Sequence, residues 1–168
     1  AASGTKGETV TVWGCTGCPV NPALRYFVSV FDSLGYKARL KLIGESRYWG
    51  TLADSRRRAQ VGITGWQADY PAASEFFSPL LTCASFKPGT ADGNANFAEF
   101  CNPSIDRAIA QARSLETSDP QAAATLWGKI DRNVVDLAPW VVLSNTRAVD
   151  LVSRRVHNYT YGPFIGNA

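Results

Sequence analysis

The sequence predicts an α/β fold, a mainly parallel sheet flanked by helices. Three observations point to it. Between Glu8 and Ile43 an alternating run, an amphipathic run and a second alternating run follow one another, the order of a parallel crossover unit. Gln60 to Thr64 repeats the strand signal after a further helical stretch. From Asn102 onward, two long apolar stripes at helical spacing each open on a capping residue followed by proline, so helices complete the order.

In chain order, Ala1 to Gly7 carries no periodic pattern and is expected as a disordered lead-in. From Glu8 to Trp13, Val10 and Val12 alternate with Thr9, Thr11 and Trp13, which is a strand. Gly14 to Val20 is a turn-rich loop holding Cys15 and Cys18. Asn21 is read as an N-cap with Pro22 in the first helical position. Leu24, Phe27, Val28, Phe31 and Leu34 form the apolar stripe of that helix, and Gly35 ends it in a left-handed conformation. Lys37 to Ile43 alternates as the second strand. Ser46 to Ala59 is expected as a helix capped by Ser46, and Gln60 to Thr64 as the next strand. Residues 72–81 form a short helix. Residues 82–100 are a long irregular loop bracketed by Cys83 and Cys101, and a loop of that length in a compact domain is usually functional or cross-linked. Asn102-Pro103 opens a helix with Ile105, Ala108, Ile109, Ala112 and Leu115 as its stripe. Asp119-Pro120 opens a longer one with Ala123, Leu126, Trp127, Ile130, Val134 and Leu137, stopped before Pro139. Trp140 to Leu143 and Arg147 to Val152 read as further strands, and the tail from Ser153 as loop.

The composition narrows the function classes. Apolar residues make up 45% of the 168 and charged residues 18%, which is globular and not disordered. A net charge of +3 does not call for nucleic acid or a membrane surface. The basic run Arg56-Arg57-Arg58 is expected on a solvated helical face. No apolar run approaches the ~20 residues of a membrane helix. No Gly-x-Ser-x-Gly is present, and the single histidine, His157, lies in the tail, so nucleophilic hydrolase chemistry lacks its parts. Gly62 and Gly65 lack the rest of a phosphate-cradling fingerprint, and no cofactor is expected. Glu45, Asp54, Asp69 and Glu75 are the available carboxylates, without a spacing that selects a catalytic pair.

Four cysteines, Cys15, Cys18, Cys83 and Cys101, allow three pairings. They fall as two local pairs, and an even count points to an oxidising compartment. A Cys83–Cys101 bridge would close a loop of about 18 residues, which contributes on the order of 3 kcal/mol. The spacing of the second pair argues against a zinc site, and no metal is expected. Cys15-Thr16-Gly17-Cys18 between a strand and a helix also matches a thioredoxin-like redox site. Pro22, however, places the helix start beyond both thiols, which favours a structural Cys15–Cys18 bridge tightening the loop.

The stretch richest in binding chemistry is Val61 to Pro71. A short β-branched run meets Gly65, then Trp66, Gln67, Asp69 and Tyr70 follow. Functional groups just past a strand end are where open α/β sheets place ligands. Trp66 and Tyr70 combine apolar bodies with polar handles, and Asp69 adds a fixed anion, so the set suits a cationic or amine-bearing ligand. The competing reading makes Asp69 a cap of the next helix and Trp66 a core residue.

Gly65-Trp66-Gln67-Ala68-Asp69-Tyr70-Pro71 resembles the Gly-Trp-x-Ala-Asp-Tyr-x motif of the family 5 extracellular solute-binding proteins, the dipeptide and oligopeptide receptors of bacterial ABC importers. Asn96-Phe97, Phe100, Asn102-Pro103 and Asp106 are similar to the family's approach to its penultimate helices. Asp119, the helix to Leu137 and Ala138-Pro139-Trp140 are similar to its closing passage, and the unit around Leu34-Gly35-Tyr36 to the start of its second lobe.

The resemblance implies the second lobe of a periplasmic-binding-protein (type II-like) fold. Residues 8–144 would form the ligand-binding lobe, and residues 145–168 a tail that returns to a first lobe lying outside this chain. It implies a binding protein and not an enzyme, placed in the periplasm or at the cell surface, lipid-anchored at full length, and serving a membrane permease. Asp69 would receive the α-ammonium of a peptide-like ligand, with Trp66, Tyr70 and Gln67 beside it. Cys83 and Cys101 sit where some dipeptide-binding members carry a short-range disulfide. Two positions depart from the pattern. Ile63 stands where some peptide-binding members carry an arginine, and Ala72-Ala73 replace the usual Asp-Pro, so the solute class stays open. A thioredoxin-like oxidoreductase using Cys15 and Cys18, or a regulatory relative without a transport ligand, are the alternative readings.

Overall fold

The computed structural model describes residues 4–91, 93–144 and 149–160. The chain divides into two compact units, one of residues 1–65 with 84–99, the other of residues 66–83 with 100–168.

The first unit is built on β1 (Thr9–Cys15), α1 (Asn21–Ser33) and β2 (Lys37–Ile43). β1 and β2 pair in parallel with Thr9 opposite Lys37 and Cys15 opposite Ile43, as the strand–helix–strand pattern predicts. Val12 and Leu24 are fully buried where α1 packs on the sheet. Gly14 permits that approach, because a Cβ there would lie 2.9 Å from both Asn21 Oδ1 and Leu42 Cδ2. Asn21 is not the N-cap. The helix already begins at Asn21, Val20 precedes it without a side-chain cap, and the Asn21 amide turns back to donate to the carbonyl of Cys15 at 2.8 Å. Gly35 adopts φ +91° as expected, and the Tyr36 N–H reaches back to the carbonyl of Phe31. Residues 1–3 of the expected lead-in lie outside the described residues. Residues 4–7 form a turn from which the Gly7 N–H donates to the Gly35 carbonyl.

The expected third strand is reduced to one parallel bridge between Val12 and Val61. Gln60 explains the economy. Its side-chain Oε1 accepts the Thr11 N–H at 2.8 Å and its Nε2 donates to the Thr9 carbonyl, so a side chain takes the ladder positions that backbone would fill. The helix expected over residues 46–59 is shorter, α2 (Glu45–Ala53), preceded by Gly44 with no side-chain cap. Asp54 ends it. Its buried carboxylate accepts the Arg56 backbone N–H and pairs with the Arg56 guanidinium at 2.9 and 3.0 Å. Residues 55–57 therefore wind into a 3-10 turn, and Arg58 is left-handed at φ 50°. The three arginines lie on that turn and not on a helical face. Arg56 beside it holds the Asp54 carboxyl below its ordinary range.

Tyr48 of α2 is the hub of this unit. It is buried against Trp13 and Cys15. Its hydroxyl accepts the Ile63 N–H at 3.0 Å and faces the carbonyls of Ile63 and Trp13 at 3.0 and 3.2 Å. Tyr48→Phe keeps the ring but orphans these groups, and is expected to cost about 1–3 kcal/mol in urea unfolding. Burial also raises the Tyr48 pKa above its ordinary 10.0. The unfolded chain then loses the phenolic proton first, so stability present below pH 10 falls as pH rises through the folded pKa. Tyr48→Phe is expected to remove that part of the alkaline loss.

The second unit contains α3 (Ser74–Leu81), α4 (Pro103–Leu115) and α5 (Pro120–Leu137). Asn102 and Asp119 cap α4 and α5 through their side chains, as their pairing with the following prolines predicts. Ile105, Ile109 and Ala112 of α4 and Ala123, Trp127, Ile130 and Val134 of α5 are buried, and Phe77 of α3 stacks on Trp127 at 5.3 Å. Ala138 turns left-handed before Pro139 and ends α5. Trp140 to Leu143 does not form the expected strand. Val141 is 74% exposed, and no strand lies beside it among the described residues. Residues 149–152 form no strand either, while Arg147 and Ala148 lie outside the described residues.

Candidate functional site

The residues expected at a ligand site, Trp66, Gln67, Asp69 and Tyr70, lie on the loop that leads into α3. The carbonyl of Tyr70 accepts the Ala72 N–H at 2.8 Å, a tight turn around Pro71. Ala68 is buried and anchors the loop. Glu75, in the first turn of α3, organises the rest. Its carboxylate accepts the backbone N–H of Asp69 at 3.2 Å, and its carbonyl accepts the indole N–H of Trp66 at 2.9 Å.

These contacts set aside the competing sequence reading. α3 is preceded by Ala73 with no side-chain cap, so Asp69 caps nothing. Trp66 is 39% exposed and is not a core residue. Asp69 and Gln67 are exposed, and among the described residues the Asp69 carboxylate has neither a hydrogen bond nor an ion pair. Tyr70 is 50% exposed, and Phe76 is exposed beside it. Ala68, Tyr70, Pro71, Ala72, Ala73 and Phe76 line a shallow apolar concavity of about 250 Å³. The alanines at 72 and 73 leave it open.

Of the expected site residues only Tyr70 lines that hollow; Trp66, Gln67 and Asp69 do not. The chemistry available on this loop is an exposed carboxylate, exposed rings at Trp66 and Tyr70, and an apolar hollow. That set can hold a cation by charge-assisted hydrogen bonds and ring contact. In open water such a pair contributes little, so the site needs a cover to bind strongly. The sequence named Glu75 only as one of four carboxylates. Its organising role depends on how the loop folds back onto α3, which residue spacing does not record.

The other candidates lie elsewhere. Both cysteine pairs are bridged, Cys15–Cys18 in the first unit and Cys83–Cys101 in the second. Cys15 is buried at the end of β1, and α1 begins only at Asn21, so neither sulfur lies in the helical turn that activates a thiol. Cys83 donates its N–H to the Asp106 carboxylate at 3.1 and 3.2 Å. Asp54 is engaged by Arg56, Glu45 is exposed on α2, and His157 is exposed in the tail.

No protein-family model matches the chain. The chain is 29% identical over 135 residues to "Probable di/tripeptide-binding protein 5" of Pseudomonas aeruginosa, spanning 77% of this chain and 23% of that protein. It is 31% identical over 163 residues to the glutathione-binding protein GsiB of Pectobacterium atrosepticum, spanning 94% of this chain and 30% of that protein. Among solved structures, the ABC transporter-associated periplasmic binding protein DppA of Helicobacter pylori, in complex with the peptide STSA, superposes with a TM-score of 0.67. The match is 14% identical and spans 81% of this chain and 25% of that one. The chain thus spans about a quarter of the length of the proteins it matches. In sequence and fold it is a homologue of part of the dipeptide- and oligopeptide-binding proteins of ABC importers, the family 5 extracellular solute-binding proteins.

Proposed function

We propose that this chain forms one wall of the ligand cleft of an extracytoplasmic solute-binding protein, and that Asp69 receives the ammonium group of a peptide-like or other amine-bearing solute. The observation that carries the reading is the Asp69 carboxylate, exposed and without a partner among the described residues, on a loop that Glu75 holds beside exposed Trp66 and Tyr70. Gln67, exposed on the same loop, supplies an amide for the solute's polar groups.

The protein acts by binding and not by catalysis. Closure of a second lobe over this wall would exclude water, and the same charge pair becomes several times stronger once the surrounding dielectric falls. Contacts made only in the closed form drive that closure. The closed protein then presents its solute to a membrane permease from the periplasmic side. The partners are therefore the solute, the permease and the remainder of the longer protein. Similarity to a probable di/tripeptide-binding protein and to a glutathione-binding protein favours solutes that carry a free amine.

Titration calorimetry tests the half-site idea. A longer protein containing this chain is expected to bind a dipeptide or tripeptide at micromolar level, and the 168-residue chain at least a hundredfold more weakly. Micromolar binding by the chain alone would show a complete site within it. Binding of no amine-bearing solute by the longer protein would overturn the reading itself.

A further inference from the structure

Pro79 lies inside α3. Proline has no N–H, so the carbonyl four residues earlier loses its helical donor. That carbonyl belongs to Glu75, and it is the group that accepts the Trp66 indole N–H. The carboxylate of the same residue accepts the Asp69 N–H. Two points of the candidate site are thus fastened to one residue, and one of the fastenings uses an acceptor that a proline has freed.

We infer that Pro79 is a positioning residue for the site: by withholding an N–H from the Glu75 carbonyl, it leaves that acceptor to Trp66 and so fixes the indole on the loop that carries Asp69. A tryptophan held by its polar edge keeps much of its ring in solvent, as Trp66 does, and is pre-oriented for a ligand without ordering cost at binding. The inference deepens the reading of this loop as a ligand wall and rests on it for its functional half. The hydrogen-bond half stands without any ligand.

Pro79→Ala separates the two. Alanine suits a helix interior and restores the N–H, so the Glu75 carbonyl, drawn into line with the helix axis, is shared between the helix and Trp66, and the Trp66 bond weakens. A purely structural proline would change the melting temperature without touching the indole. The readout is solvent exchange of the Trp66 indole proton by NMR in the 168-residue chain, the resonance being identified among five tryptophans by its loss in Trp66→Phe. The proton is expected to be protected in the wild-type chain and to exchange about tenfold faster in Pro79→Ala, the change one hydrogen bond can produce. An unprotected Trp66 indole in the wild-type chain, or protection unchanged in Pro79→Ala, overturns the inference. In the longer protein, dipeptide affinity is expected to fall several-fold in Pro79→Ala. Faster indole exchange with unchanged affinity would uphold the positioning by Pro79 and overturn the reading of this loop as the ligand wall.

Discussion

Replacing Cys83 and Cys101 together by serine is expected to lower the stability of the chain by about 3 kcal/mol. The bridge spans a sequence separation of 18. It joins two cysteines of the second unit, while the stretch between them, residues 84–99, belongs to the first. Without it the unfolded chain gains the freedom of that loop. The folded chain keeps its local anchors. Cys83 N–H still has the Asp106 carboxylate, and Asn94, buried on the loop, still donates to the Ala53 carbonyl at 2.6 Å. The loss should therefore lie near the chain-entropy value and not amount to collapse of the unit. Urea unfolding of the double variant against the oxidised wild type measures it. The Cys15–Cys18 bridge closes a separation of only 3, and Cys15→Ser with Cys18→Ser should cost about half as much by the same reasoning. A change below about 0.5 kcal/mol for the longer loop would contradict the account.

Asp69→Asn is expected to weaken binding of an amine-bearing solute by the longer protein about 10²–10³-fold, and to leave the stability of this chain within about 0.5 kcal/mol. The two halves have one cause. Asparagine keeps the shape and removes the charge. In the folded chain nothing among the described residues uses that charge, since the Asp69 carboxylate has no partner and α3 takes no cap from it. The backbone N–H that Glu75 holds is unchanged by the substitution. In a covered cleft the ammonium of the solute would lose its counter-charge, and an uncompensated buried charge costs several kcal/mol. Thermal unfolding checks the first half and ligand titration the second. A large loss of stability would return Asp69 to a structural role.

Much of the fold was legible because its signals are local. The alternation of β1 and β2, Gly35 after α1, and Asn102 and Asp119 ahead of their prolines each act within a few residues. The failures have physical reasons too. A β-branched run records readiness to pair, not the presence of a partner. Trp140 to Leu143 therefore stays unpaired here, and at Gln60 a side chain supplies what a third strand would have. Asn21 reads as a cap, but Gly14 brings α1 so close to β1 that the Asn21 amide reaches the Cys15 carbonyl instead. Helical spacing at Arg56 to Arg58 yielded to the buried Asp54 carboxylate. In the candidate site, Asp69 stood out as an anion just past a strand-like run. Glu75 did not, because its role joins an ordinary first-turn acid to a missing N–H at Pro79.

The central claim is that Asp69 is the counter-charge for the amine of the solute. Titration calorimetry on the longer protein tests it most directly, using wild type and Asp69→Asn, each with a free dipeptide and its N-acetylated form. If the claim holds, acetylation and the substitution each remove most of the affinity, and together they cost little more than either alone. If the two losses add as independent effects, or if Asp69→Asn binds the free dipeptide as wild type does, Asp69 does not hold the amine.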